Sequence, residues 1–182
     1  MISATRSALV RIPPALAAQC VRLRPETTAD DPFLLALYAT TRQAELDQVA
    51  DWPTEQKQAF VAMQFNAQRQ HYRHTLTNVA FDVIERAGAP IGRLYTQEGE
   101  TMLHIVDILI DPAERGAGIG TALLECLASE ALAAGKVLSI FVEAYNPAKQ
   151  LYERLGFVQV GEPQGFYIEM EIPLPTKQVA AR

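Results

Sequence analysis

The sequence predicts one mixed α/β domain with a mostly antiparallel sheet. Three observations lead there. Apolar–polar alternation and short apolar runs mark strands near 21–24, 79–84, 91–96, 102–110, 137–142, 157–160 and 166–172. Helical spacing of apolar residues fills most of the intervals. The resulting order, β-α-α-β-β-β-α-β-α-β-β, puts hairpins early and a β-α-β unit late. The chain has 182 residues, of which 49% are hydrophobic and 20% charged, enough apolar mass for one proper core. It holds no internal repeat, low-complexity tract or linker.

Val21-Arg22-Leu23-Arg24 alternates as a first strand, and Pro25 ends it. Thr28, Asp30 and Asp31 offer caps for a helix over 31–44, with Pro32 in its first turn and Phe33, Leu34, Leu37 and Tyr38 at helical spacing. Asp51-Trp52-Pro53 is a loop, and Thr54 can cap a second helix over 55–75 carrying Phe60, Met63, Ala67 and His71. Val79, Phe81, Val83 and Ile84 then pair with Ile91 to Thr96 as a hairpin around Ala87-Gly88-Ala89-Pro90. Met102 to Ile110 is long and strongly apolar, as a buried central strand should be. A glycine-rich turn over Gly116–Gly120 runs into a helix over 119–134 that Gly135 ends. Val137 to Val142 is a strand. Asn146-Pro147 opens a short helix that stops at Gly156, and two strands close the domain. Residues 1–17 read as a loosely ordered N-terminal extension, 18–174 as the domain and 175–182 as a C-terminal tail.

A net charge of −5 gives no basic footprint for nucleic acid. No apolar stretch approaches the ~20 residues that span a bilayer. The N-terminal apolar run is broken by Arg6, Arg11 and Pro13-Pro14, so it does not read as a signal peptide, and Gln19 argues against a lipoprotein reading of Cys20. The two cysteines, Cys20 and Cys126, lie far apart and read as two buried thiols rather than a bridge, consistent with a cytoplasmic protein.

The stretch richest in chemistry is Asp111-Pro112-Ala113-Glu114-Arg115-Gly116-Ala117-Gly118-Ile119-Gly120-Thr121. A buried strand ends, glycines follow at alternate positions, and a helix begins. Without β-carbons, backbone N–H groups can approach a ligand closely. The helix start adds unpaired N–H groups and the positive end of its dipole, a site suited to a pyrophosphate. Arg115 adds a donor fork matched to phosphate. A P-loop is excluded because no lysine follows Gly120, which also disfavours a nucleotide-binding switch. A dinucleotide fingerprint is excluded because the third glycine comes one residue early. A second stretch, Asn146-Pro147-Ala148-Lys149-Gln150-Leu151-Tyr152-Glu153-Arg154-Leu155-Gly156-Phe157, places Tyr152 inside the short late helix.

Together these two stretches resemble the GNAT superfamily of acyl-CoA-dependent N-acyltransferases. The R-G-x-G-x-G turn is similar to that family's pyrophosphate loop, and N-P-A-x-x-L-Y-E-R-L-G-F to its late tyrosine helix. The element order agrees over residues 20–172. The resemblance implies a splayed central strand pair, acetyl-CoA as co-substrate without a metal, and direct attack by a primary amine in a ternary complex. It implies that main-chain groups of Ile108 and Ile110 hold the pantetheine arm. Gly116, Gly118, Gly120 and Thr121, with Arg115, would take the pyrophosphate, and Asn146 would hydrogen-bond the cofactor. Tyr152 aligns with the general acid that protonates the departing thiolate. Asp107 interrupts a run of Ile, Val and Leu, where a carboxyl should have a raised pKa. Both a general base and a structural hydrogen bond fit it, and Glu143 is the lesser candidate for base. The alternative reading is an acyl-CoA-binding module that has lost the chemistry.

The acceptor is left open to any small-molecule or peptide amine. Gln64, Gln68, His71 and Tyr72 on the second helix, with Trp52 before it, are candidates to wall its pocket. His71, His74 and His104 do not make a metal motif, because the first two point to different helix faces. Apolar strands near the C-terminus, such as Phe166 to Ile172, are compatible with a homodimer.

Overall fold

Period-two alternation in Val21–Pro25, Val79–Arg86, Ala89–Glu98, Met102–Ile110, Val137–Glu143, Val158–Gln164 and Tyr167–Ile172 becomes strands β1 to β7. Helices α1 (Pro14–Ala17), α2 (Asp31–Ala39), α3 (Gln43–Gln48), α4 (Thr54–Thr75), α5 (Ile119–Ala133) and α6 (Lys149–Arg154) flank them. These assignments come from a computed structural model that describes residues 10–175. The strands form one sheet in the order β1-β2-β3-β4-β5-β7-β6. Every neighbouring pair is antiparallel except β4 with β5, which α5 connects in parallel.

The two sheet faces carry separate cores. Ile84, Leu94, Leu103, Ile105 and Ile140 pack with Leu123, Leu124 and Leu127 of α5. Val83 faces the other way, onto Leu34, Tyr38, Val61 and Phe65 of α2 and α4. Ion pairs fasten α4 over that second face. Arg69 meets Asp31 at 2.7 Å, and both Arg69 and Arg73 pair with Glu26, which also accepts the Tyr95 hydroxyl at 2.5 Å.

Four expectations change. The helix expected over 31–44 breaks in two because Thr40 and Thr41 turn their hydroxyls back onto the carbonyls of Leu37 and Tyr38, both at 2.7 Å, which competes with helix continuation. The late helix starts at Lys149 rather than at Pro147. Asn146 instead forms a local turn, its Oδ1 accepting the Ala148 N–H at 2.9 Å. Of the N-terminal extension, residues 1–9 lie outside the described residues, but Val10 and Leu16 are buried in the core beside Leu123 and Leu127, so that part is not loose. Cys20 is exposed, not buried, and both it and Cys126 are free thiols. Residues 176–182 of the expected tail lie outside the described residues.

Two local devices position β4. Gly92 on β3 lies against it: a β-carbon there would come 2.4 Å from the Leu109 carbonyl oxygen. Further along, Tyr95 opposes Asp107 and Thr96 opposes Ile105, so Val106 is an extra residue, a β-bulge. A bulge shifts the period-two alternation by one. Leu103 and Ile105 face the α5 core before it, and Ile108 and Ile110 face that core after it. Asp107 is thereby turned to the opposite face.

Candidate active site

Pairing between β4 and β5 stops at Ile105 and Ile140, although the strands run on to Ile110 and Glu143. The central pair is therefore splayed, as the resemblance implied. The Asp111 N–H donates to the Ile91 carbonyl at 2.8 Å. Alternation along the strand then points the main-chain groups of Leu109 and Asp107 toward β3, and those of Ile108 and Ile110 into the gap. The Ile110 carbonyl accepts Arg115 Nε at 2.9 Å, in keeping with that direction.

A cavity of about 880 Å³ opens at this gap, walled by residues of α2, α3, α4, β3, β4, β5, α6 and β7. It gathers Asp107, Ile108, Glu143, Asn146 and Tyr152 from the sequence-based candidates, and Gln68, His71 and Tyr72 from α4. Gln64 and Trp52 are not in its wall; Trp52 packs edge-on to Phe60, with ring centroids 5.7 Å apart.

Tyr152 is buried, with its ring edge-on to Phe157 at 5.6 Å. Burial pushes its hydroxyl pKa up to about 12, and the nearby Asp107 charge adds to the rise. It therefore stays protonated near neutral pH. Asp107 meets Arg93 Nη2 at 2.5 Å, and the same nitrogen donates to Gln68 Oε1 at 3.0 Å. Burial raises the Asp107 pKa, and the Arg93 guanidinium opposes that rise. Arg93 is 1% exposed, and its Nε has no hydrogen-bond partner among the described residues. Sequence reasoning missed Arg93. Its signal was a lone cation inside the apolar strand Ile91-Gly92-Arg93-Leu94-Tyr95.

The glycine turn follows β4. Asp111 accepts the Ala113 N–H at 2.9 Å, and Glu114 ties the turn to Arg86 at 2.9 Å. Gly116 and Gly118 have φ of +80° and +77°, which a side chain resists, and space is open where their β-carbons would lie. Gly118 is the residue before α5, so the first N–H groups of that helix, including those of Gly120 and Thr121, open beside the same turn. Such a turn can cradle a phosphate. Arg115 is exposed and holds the strand end through Nε.

His104 Nδ1 lies 2.8 Å from Ser139 Oγ, and burial lowers its pKa. No group of three or more His, Cys, Asp and Glu is placed to hold a metal among the described residues. No helix among them is long and apolar enough to cross a membrane.

Comparison with known proteins agrees with this geometry. The family model described as acetyltransferase (GNAT) domain matches residues 48–167. A glucosamine 6-phosphate N-acetyltransferase of Trypanosoma brucei brucei is 31% identical over 75 residues, 41% of this chain and 50% of that protein. The chain thus matches half the length of that curated relative. Among solved structures, an acetyltransferase from Thermus thermophilus has a TM-score of 0.60 at 20% identity, covering 85% of this chain and 97% of that one. The PaiA N-acetyltransferase from Thermoplasma acidophilum, solved in complex with coenzyme A, has a TM-score of 0.57 at 15% identity, covering 83% and 97%. The splayed strands share their fold with these structures, and the matched residues include the glycine turn and Tyr152: the chain belongs to the GNAT acetyltransferase family.

Proposed function

We propose that the protein transfers an acetyl group from acetyl-CoA to a primary amine by direct attack in a ternary complex, and that residues 18–174 are the unit that does so. The observation that carries this reading is the gap between β4 and β5, with a glycine turn at its end and Asp107 and Tyr152 on its wall. The residues fit the co-substrate. Unpaired strand donors suit a pantetheine arm, and the open left-handed glycines before α5 suit a pyrophosphate. Acetyl-CoA, when bound, supplies the activated acyl group.

The chain's own groups then divide the work. Main-chain groups of Ile108 and Ile110 hold the arm, and one N–H donates to the thioester oxygen as charge builds there, an effect worth ~3 kcal/mol. Gly116, Gly118, Gly120 and Thr121, with Arg115, hold the diphosphate. Asn146 spends its Oδ1 on the Ala148 N–H, so its amide NH₂ is the part left for the cofactor. Tyr152 donates its proton to the leaving thiolate. Asp107, oriented by Arg93, accepts the amine's proton directly or through water. A primary amine as acceptor is in keeping with the name of the trypanosomal relative.

The test is acetyl-CoA titrated into the protein by calorimetry, followed by thiol release against a panel of amines. Binding with a Kd around micromolar is expected. In Gly118→Glu it should be lost, because a carboxylate then stands at the phosphate cradle. A folded protein that binds no acetyl-CoA overturns the reading. Binding without thiol release for any amine leaves an acyl-CoA-binding module.

A further inference from the structure

We propose that the acceptor is an aliphatic amine with a second cationic group, which Glu143 and Glu169 hold between the rings of Phe141 and Tyr167. This rests on the acyl-transfer reading and deepens it. In the pairing of β5 with β7, Phe141 stands opposite Glu169 and Glu143 opposite Tyr167. Opposed residues share a sheet face, as do residues two apart on one strand. The four side chains therefore form a square in which carboxylates and rings alternate. All four line the cavity that also holds Asp107 and Tyr152. Their strand neighbours Val142, Ile168 and Met170 face the core instead.

Charge balance gives the square its selectivity. The charged side chains on the cavity wall are Arg42, Glu45, Arg93, Asp107, Glu143 and Glu169. Arg42 is committed to Glu45 at 2.6 Å, and Arg93 to Asp107 at 2.5 Å. Glu143 and Glu169 have no ion-pair partner among the described residues; Glu143 accepts the Tyr167 hydroxyl at 3.4 Å. An ammonium at the square gains both carboxylates and the faces of two rings. At the other end, Arg93 and Asp107 neutralise each other, so no net negative charge is left there to hold an ammonium, and the nitrogen placed there can give its proton to Asp107 and attack. Arg42 also lies within electrostatic reach of Glu143 and Tyr167, but the four carboxylates on the wall outnumber the two arginines and no lysine lines the cavity, so an anionic acceptor meets the opposite field.

Initial rates with acetyl-CoA and, in turn, putrescine, n-butylamine and glucosamine 6-phosphate test this. Putrescine should exceed n-butylamine in kcat/KM by about tenfold at low ionic strength, the effect of one charge-assisted contact. The advantage should shrink as salt is added. In Glu169→Gln the ratio should fall toward unity, and Glu169→Asp should restore part of it. Equal kcat/KM for the two alkylamines, or a preference for glucosamine 6-phosphate, overturns the inference and leaves acyl transfer standing. If acetyl-CoA binds and no amine reacts, the transfer reading fails and calorimetry decides. Tighter binding of putrescine than n-butylamine, weakened by Glu169→Gln, then upholds the cationic site; equal or absent binding overturns it.

Discussion

Arg93 and Asp107 lock together across β3 and β4, guanidinium to carboxylate at 2.5 Å, with Gln68 of α4 sharing the same nitrogen. Both belong to the wall of the cavity, and Arg93 is 1% exposed. The pair sits on that face only because the bulge at Val106 turns Asp107 away from the α5 core.

Breaking the pair from one side should be severe. Arg93→Met leaves a buried carboxylate without its counter-charge, a loss of about 3–5 kcal/mol at neutral pH. Burial already raises the Asp107 pKa in the folded state, and loss of Arg93 raises it further. A raised folded pKa means a contribution intact below the unfolded value and lost as pH rises through the folded one. The Arg93→Met deficit should therefore be smaller at pH about 5 than at about 8. Adding Asp107→Asn should recover part of the loss at the higher pH. Urea midpoints of the three proteins check both statements; a deficit independent of pH would deny the buried charge.

Tyr152 should matter to turnover more than to folding. Tyr152→Phe keeps the ring against Phe157 and removes only the hydroxyl. Turnover should fall by about tenfold to a thousandfold without vanishing. Because burial holds its pKa up to about 12, the wild-type rate should show no falling limb from this group between pH ~7 and ~10. Unchanged turnover in Tyr152→Phe would remove it from the mechanism.

Gly92 tests the link between sheet packing and the cofactor gap. A β-carbon there would lie 2.4 Å from the Leu109 carbonyl oxygen, a backbone atom that cannot rotate away. Gly92→Ala should cost about 1–3 kcal/mol and push β4 off β3. Acetyl-CoA affinity should fall with it, because Ile108 and Ile110 move. Thermal melting and calorimetry on one preparation measure the two effects together.

Asp30 anchors the other edge of the sheet. Arg24 grips it with two nitrogens at 2.6 and 2.7 Å and reaches Glu85 with Nε at 2.6 Å. The Arg24 guanidinium holds the Asp30 carboxyl well below the usual carboxylate range. A lowered folded pKa gives stability that is present above the unfolded value and lost as pH falls through the folded one. Asp30→Asn should cost about 3 kcal/mol near neutrality. The gap to wild type should narrow once the pH drops below about 4. Denaturation midpoints across that range are the check.

Local chemistry was legible in the sequence. The limits of β4 follow from a long, mostly apolar run that only His104 and Asp107 interrupt, and the glycine turn with α5 behind it follows from spacing alone. Tyr152 and Asn146 could be singled out because motif and helix chemistry are short-range. Even the split after Ala39 had a local cause in Thr40 and Thr41, although apolar periodicity by itself ran across it.

What depends on strand pairing was not legible. The parity shift at Val106 arises only when β4 meets β3, and it decides which face Asp107 occupies. Arg93 finds Asp107, and Phe141 finds Glu169, across separations that no period spans. The sequence by itself determined the strands, their order, the helices apart from α1 and α3, and the glycine-rich turn, since each rests on interactions within a few residues. The tertiary structure alone decided the ion pair on the cavity wall, the acidic and aromatic square and the burial of Val10, since each is a long-range contact whose energy exists only once the sheet has closed around it.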